Sequence, residues 1–196
     1  MAKTMETAIS MAQQILNDFP LSQVIIEEFL PSDDITCGFL KLGKQVLLLP
    51  TYYLIKSVSG RKHILDRTQR LRSWDDVDKM QPVITDNLIL NQLKQHLPSI
   101  IETLDIQDFT RIDGRLNQEG KLHFFDINGM PALDFPDSVM NKQCFSCFPD
   151  YPQKTIYTAL LHTIVQNALL RYEMNIPEAM KTHNLFTLKS NFVIQI

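Results

Sequence analysis

Residues 109–128 read FTRIDGRLNQEGKLHFFDIN, and this stretch predicts a β-hairpin. Its two arms, 109–116 and 121–128, are rich in aromatic and branched residues, and the connecting residues 117–120 end in Gly120. A four-residue connection that ends in glycine is typical of a hairpin turn. We therefore predict two neighbouring antiparallel strands.

One face of this hairpin is expected to be polar. Alternate residues of a strand point to the same side of the sheet, so Arg111 shares a face with Asp113, and Asp126 shares a face with Asn128. A turn centred in the middle of the connection places Arg111 opposite Asp126 and Asp113 opposite Phe124, which brings all four polar groups to one face. The other face is predicted to pack on the core through its apolar residues, which are Ile112, Phe125 and Ile127.

Two carboxylates and a carboxamide on one face suit a divalent cation. Mg²⁺ prefers oxygen ligands and binds proteins through one or two carboxylates, with water and phosphate in its other positions. An adjacent arginine suits phosphate or a developing anionic oxygen. By spacing alone a simpler arrangement is favoured, in which Arg111 and Asp126 form a solvated cross-strand ion pair.

Apolar residues at helical spacing predict three helices, over 4–19, 87–104 and 154–172. Thr85 or Asp86 precedes the second helix and suits its N-cap. Pro98 lies inside this helix and is expected to kink or split it.

Short apolar runs predict three further strands, over 24–30, 35–42 and 45–53. Residues 186–196 alternate like a strand, and their apolar end suits pairing with a sheet edge. The polar stretch 58–78 predicts a long surface loop, with one short helix near residues 74–80. Together the elements predict an α+β fold, a mostly antiparallel sheet flanked by helices.

The composition is that of an ordinary globular protein. The chain has 196 residues, 44% hydrophobic and 21% charged, with a formal net charge of −3, which argues against a broad basic surface for nucleic acid. No apolar run approaches the roughly 20 residues needed to cross a bilayer, so no membrane partner is expected. Three cysteines make a disulfide framework improbable, and we expect a reducing cytoplasm.

The strings RID at 111–113 and FDINGMP at 125–131 resemble the C-terminal signature of ATP-grasp enzymes of the D-alanine–D-alanine ligase type. That signature reads R-x-D, a hairpin, then [ED]-x-N-x-x-P-G. The resemblance implies a ligase that activates a carboxylate as an acyl-phosphate and joins it to an amine, with ATP and Mg²⁺ or Mn²⁺ as cofactors. It implies that Arg111 is the catalytic cation. The implied metal ligands are Asp113, Asp126 and Asn128.

Other parts of the chain fall in the same family order. Residues 24–30, VIIEEFL, resemble the hinge that holds adenine, Asp34 matches an acid that binds ribose, and Arg70 falls in a loop that covers the phosphates. The basic residues around Arg70 are also compatible with a solvated loop. The implied nucleotide contacts are Glu27, Glu28, Phe29, Leu30, Asp34 and Arg70. The implied substrate contacts are Gly129 and Ser138.

The resemblance covers residues 1–172 as a C-terminal portion, and we predict that 173–196 form an extension. Asp126 stands where the family more often has glutamate, and Ala132 follows Pro131 where it usually has glycine. The N-terminal domain and most of the small lobe are not found in this sequence. A fragment, a split enzyme with a partner chain, a homo-oligomer and a non-catalytic interaction module all stay open.

Cys144 and Cys147 have the C-x-x-C spacing of half a zinc site. A complete site needs a second pair or nearby histidines, and His162, the nearest histidine, lies on a predicted amphipathic helix. Two ordinary loop thiols are therefore the favoured interpretation.

Overall fold

The computed structural model describes residues 2–55, 79–181, 185–188 and 192–195. The chain divides into two compact units, Met1–Pro31 and Ser32–Ile196. The predicted loop 58–78, including Arg70, lies outside the described residues.

The first unit contains the predicted N-terminal helix, α1, which spans Met5–Asp18. The Thr4 side chain accepts a hydrogen bond from the Thr7 N–H at 3.2 Å and caps the helix. The strand predicted over 24–30 is wrong, because this segment joins no strand ladder among the described residues. Ile25 and Ile26, in the middle of this run, are 79% and 59% exposed, so their side chains do not pack in a core. A strand requires a hydrogen-bonding partner as well as apolar side chains.

The second unit is built on an antiparallel sheet. Its strands are β1 (Asp34–Leu42), β2 (Gln45–Ile55), β3 (Lys79–Met80), β4 (Phe109–Leu116), β5 (Leu122–Asn128) and β6 (Val193–Gln195). The order is β3-β2-β1-β4-β5, and β6 pairs with the start of β2. The predicted hairpin arms, the strands over 35–42 and 45–53, and the α+β fold class are confirmed.

The two faces of the sheet carry separate cores, because successive strand residues point to opposite sides. Helix α2 (Asn87–Thr103) covers the first face. The buried residues there include Ile35, Cys37, Phe39, Leu48, Leu93 and Ile112. Helices α3 (Val139–Cys147) and α4 (Gln153–Arg171) cover the second face. The buried residues there include Leu40, Leu47, Leu49, Met140, Phe148 and Leu160.

Helix α2 continues through Pro98 as one helix, so the predicted split at that proline is wrong. Proline removes one backbone hydrogen bond. The buried residues Leu93, Leu97 and Ile101 pack this helix on the sheet on both sides of the proline. Such tertiary packing supplies most of the stability of helices in proteins, so one lost hydrogen bond is tolerated.

Replacing Asp86 with alanine is expected to lower the free energy of unfolding by about 1 kcal/mol, the usual effect of losing an N-cap. The Asp86 carboxylate accepts a hydrogen bond from the Leu88 N–H at 2.8 Å at the start of α2. Urea denaturation of Asp86→Ala and of the exposed control Asn91→Ala measures the difference. A loss of equal size in both variants would show that the cap contributes nothing specific.

The C-terminal third contains two helices that the sequence did not predict, α3 and a short helix over Glu178–Lys181. Helix α3 lies in the stretch between the hairpin and α4, where prolines obscure the helical pattern. It therefore places Cys144 and Cys147 in a helix and not in a loop. Within the strand predicted over 186–196, the described residues form a strand over Val193–Gln195, and a 3₁₀ turn spans Leu185–Leu188. Among the described helices, none has the length and apolar character required to cross a bilayer.

Candidate functional site

The polar face of the hairpin is present, with a different register from the predicted one. In the ladder between β4 and β5, Arg111 lies opposite Asn128 and Asp113 lies opposite Asp126. The predicted pairs of Arg111 with Asp126 and Asp113 with Phe124 are therefore wrong. Directly paired residues of an antiparallel ladder share a face, so all four polar residues still lie on one side of the sheet.

Two irregularities of the hairpin explain why its register differs from the predicted one. The ladder begins with Leu116 opposite Leu122, so the loop is one residue longer than predicted. A bulge then leaves Phe125 as an extra residue in β5. Gly114 permits this close approach, because a Cβ atom there would lie 2.6 Å from the His123 carbonyl oxygen. The longer loop and the bulge each shift the register by one residue. One such shift alone would turn the side chains to the opposite face, and the two together restore the original face.

The prediction that Phe125 and Ile127 pack on the core is wrong. These side chains are 52% and 40% exposed. Strand β5 is at the edge of the sheet, and the first core receives Leu122 and Phe124 from it instead.

The ion pair of this face forms within β4. Arg111 donates from Nε to Oδ1 of Asp113 at 3.1 Å and from Nη2 to Oδ2 at 2.9 Å. Such a bidentate pair fixes geometry as well as charge. Thr36, opposite Asp113 in the neighbouring strand β1, donates its hydroxyl to Oδ1 at 2.6 Å. The alternative arrangement, a cross-strand pair of Arg111 with Asp126, does not form.

The remaining acceptors suit a cation that also takes ligands from elsewhere. Asp113 accepts three hydrogen bonds of the roughly four that a carboxylate can accept. Asp126 is exposed and no described residue donates to it, and the Asn128 side-chain oxygen accepts one hydrogen bond, from the Met130 N–H at 3.2 Å. No group of three or more Asp, Glu, His or Cys side chains in the described part could enclose a metal ion. This donor set fits Mg²⁺ bound together with water and phosphate, and it does not fit a metal held by protein alone.

Asp34, the predicted ribose ligand, lies on the same side of the sheet and is held by a charged partner. Arg115 donates from Nε to Oδ1 of Asp34 at 2.5 Å, and its side chain is only 8% exposed. The sequence gives no indication of this pair, because the two residues belong to strands whose adjacency is set by the sheet order. The pair holds one oxygen of the Asp34 carboxylate.

The other predicted contacts are distributed over the chain. Glu27 and Glu28 are exposed in the first unit, where Phe29 and Leu30 are partly buried. Gly129 follows the hairpin, and nothing lies within 4 Å of the position of a Cβ atom there. The buried Ser138 accepts a hydrogen bond from the Asn141 N–H at 3.3 Å as the N-cap of α3. Their roles in binding remain predictions.

The zinc interpretation of Cys144 and Cys147 gains no support. Neither thiol forms a disulfide, both are buried, and burial raises the pKa of Cys144 well above its ordinary value. Zinc binds the thiolate form, which such burial disfavours.

Comparison with known proteins gives one consistent result. The profile of the family described as "D-ala D-ala ligase C-terminus" matches residues 2–145. The D-alanine–D-alanine ligase of Aquifex aeolicus is 27% identical over 111 residues, which cover 57% of this chain and 34% of that protein. The solved structure of the D-alanine–D-alanine ligase from Coxiella burnetii has a TM-score of 0.50 and 14% identity, and the match covers 88% of this chain. The chain thus spans about a third of the curated relative and 44% of the solved structure.

Proposed function

The chain belongs to the D-ala D-ala ligase C-terminus family, and we propose that it forms the metal-binding and phosphate-binding part of an ATP-dependent carboxylate–amine ligase. The observation that carries this proposal is the shared face of β4 and β5, where Asp113 and Asp126 lie opposite each other beside Arg111 and Asn128. Oxygen ligands for a hard cation and a guanidinium for an anion are adjacent there.

In this proposal Asp113, Asp126 and Asn128 hold Mg²⁺ or Mn²⁺, which when bound neutralises charge on the ATP phosphates. Arg111 has two functions. Its Nε and Nη2 orient Asp113, while no described residue accepts from Nη1, which is left to donate to an anionic oxygen of an acyl-phosphate. The reaction depends on positioning and charge neutralisation more than on covalent chemistry by the protein.

The family resemblance supports a further proposal for the nucleotide and the substrates. We propose that residues 27–30 contact adenine, that Asp34, oriented by Arg115, contacts ribose, and that Arg70 contacts phosphate. Gly129 and Ser138 contact the carboxylate or amine substrate. The boundary predicted after residue 172 stays a prediction.

The rest of the ATP site is proposed to come from further polypeptide. The chain spans 34% and 44% of the two matched proteins, so a complete ligase of their size needs a complementary lobe. That lobe belongs to a longer form of the chain, to a partner chain or to a homo-oligomer. We propose a cytoplasmic location, which suits a protein that uses ATP and Mg²⁺.

Replacing Asp126 with asparagine is expected to weaken Mn²⁺ binding at least tenfold, because even groups that only support a metal ligand typically contribute about 10–100-fold to affinity. Titration of the chain with Mn²⁺, followed by electron paramagnetic resonance, measures the affinity. Asp126 has no described hydrogen-bonding partner, so its substitution removes a ligand without breaking an ion pair.

The matched control is Asp150→Asn, an exposed carboxylate in the loop that precedes α4. It removes the same charge away from the hairpin and should leave the Mn²⁺ affinity within about twofold, since surface charges at a distance are screened. Equal affinities of wild type, Asp126→Asn and Asp150→Asn would instead favour a non-catalytic interaction module.

A further inference from the structure

A buried glutamine of α3 contacts the strand that supports Asp113. Gln143 is fully buried, and its side-chain nitrogen lies 3.1 Å from the Thr36 carbonyl oxygen and 3.2 Å from the Leu49 carbonyl oxygen. The same nitrogen lies 3.3 Å from the Thr51 hydroxyl and 3.4 Å from the Thr36 hydroxyl. Gln143 therefore connects α3 to both β1 and β2 at the position of Thr36.

The Gln143 amide holds Thr36 chiefly through its backbone. An NH₂ group has two protons to donate, and its two shortest contacts are the carbonyl oxygens of Thr36 and Leu49. Because the amide nitrogen cannot accept, the Thr36 hydroxyl does not donate to it. The single hydroxyl proton is then available to Asp113, whose Oδ1 lies 2.6 Å away. Gln143 thus fixes the Thr36 backbone, and the Thr36 side chain donates to Asp113, which links the second core to the polar face of the hairpin.

Packing alone does not explain a glutamine at this position. Its Oε1 atom is buried and has no hydrogen-bonding partner among the described residues. An unsatisfied buried acceptor lowers stability relative to an apolar side chain of the same size. Gly38 leaves the space for it, because a Cβ atom there would lie 2.7 Å from Gln143 Oε1 and 2.8 Å from Met140 Sδ.

We propose that Gln143 is a positioning residue for Asp113 and acts through Thr36. The hydroxyl of Thr36 and the guanidinium of Arg111 hold the carboxylate from two sides, which keeps the unused acceptor site of Oδ2 in one orientation. The inference rests on the proposed function in one respect, the role of Asp113 as a metal ligand. Partners that orient a metal ligand in this way are usually as important as the ligand's own geometry.

Hydrogen exchange at the Arg111 Nε–H, followed by NMR without metal, tests the positioning directly. In the wild type this proton is bonded to a fixed Asp113 carboxylate. Gln143→Met and Thr36→Val should accelerate its exchange about fivefold to tenfold, the range that corresponds to one hydrogen bond. Thr36→Ser retains the hydroxyl and should exchange like the wild type. Gly38→Ala displaces Gln143 by contact and should behave like Gln143→Met.

Mn²⁺ titration of the same variants separates this inference from the proposed function. Gln143→Met and Thr36→Val should weaken Mn²⁺ binding about tenfold, and Thr36→Ser should restore it. Gln143→Met and Gly38→Ala could both retain the wild-type exchange rate and the wild-type Mn²⁺ affinity, while Asp126→Asn binds Mn²⁺ more weakly. That result would overturn the role of Gln143 and leave the metal site intact. Gln143→Met and Gly38→Ala could instead accelerate the exchange of the Arg111 Nε–H while Asp126→Asn leaves Mn²⁺ binding unchanged. That result would uphold the positioning of Asp113 by Gln143 and overturn the metal site.

Discussion

Replacing Asp113 with asparagine is expected to reduce Mg²⁺-dependent ADP release by about a thousandfold in the native assembly that contains this chain, since a lost electrostatic contact to the transition state typically costs 10²–10³ in turnover. The substitution removes a proposed metal ligand and at the same time releases Arg111, which Asp113 orients through two hydrogen bonds. Both groups that neutralise phosphate charge are therefore impaired together. A coupled assay of ADP release under saturating Mg²⁺ measures the loss.

The control for this prediction is again Asp150→Asn, which should retain wild-type turnover. Asp113 and Arg111 are 19% and 17% exposed, so loss of their pair should lower the free energy of unfolding by only about 1–2 kcal/mol, too little to unfold the protein. Circular dichroism of both variants checks that they are folded. A folded Asp113→Asn variant with more than a tenth of wild-type turnover would contradict the assignment of this carboxylate.

Replacing Phe39 with alanine is expected to lower the free energy of unfolding by about 3–5 kcal/mol, the usual loss when a phenylalanine is truncated in a core. Phe39 is fully buried in the middle of β1 and packs in the first core between the sheet and α2. The loss combines the transfer energy of the ring with the cavity left behind. Urea denaturation monitored by circular dichroism measures it.

The matched control is Phe125→Ala, the same chemical change at a ring that is 52% exposed. Surface substitutions usually change stability by about 0.5 kcal/mol or less, so Phe125→Ala should remain close to the wild type. Comparable losses in the two variants would mean that Phe125 is a core residue, as the alternation of β5 predicts. That result would contradict the bulge in the register of β4 and β5.

Short-range regularities of the sequence predicted much of this protein. The helical spacing over 4–19 and 154–172 predicted α1 and α4, and the connection that ends in Gly120 predicted the hairpin that joins β4 to β5. The grouping of Arg111 and Asp113 with Asp126 and Asn128 on one face was also correct. The alternation of side chains depends only on backbone geometry between neighbouring residues. The prediction of a shared polar face was therefore correct although the predicted register was wrong by two positions.

Segments whose stability depends on distant partners were not predicted. The apolar run 24–30 has the composition of a strand but no ladder in the described chain, whereas α3 forms in a stretch with little helical pattern because it packs on β2. Propensity and pattern are weak signals when the decisive contacts come from elsewhere in the chain.

The sequence by itself determined the types of residue at the site and the face on which they lie. Only the tertiary structure decided their partners: Asp113 pairs with Arg111 and with Thr36, which is 77 residues away, while Gln143 reaches Thr36 across 107 residues. The physical reason is that alternation arises from bonds between adjacent residues. Hydrogen bonds between strands and helices depend on sheet order, a bulge and the packing of α3, and no local pattern records these.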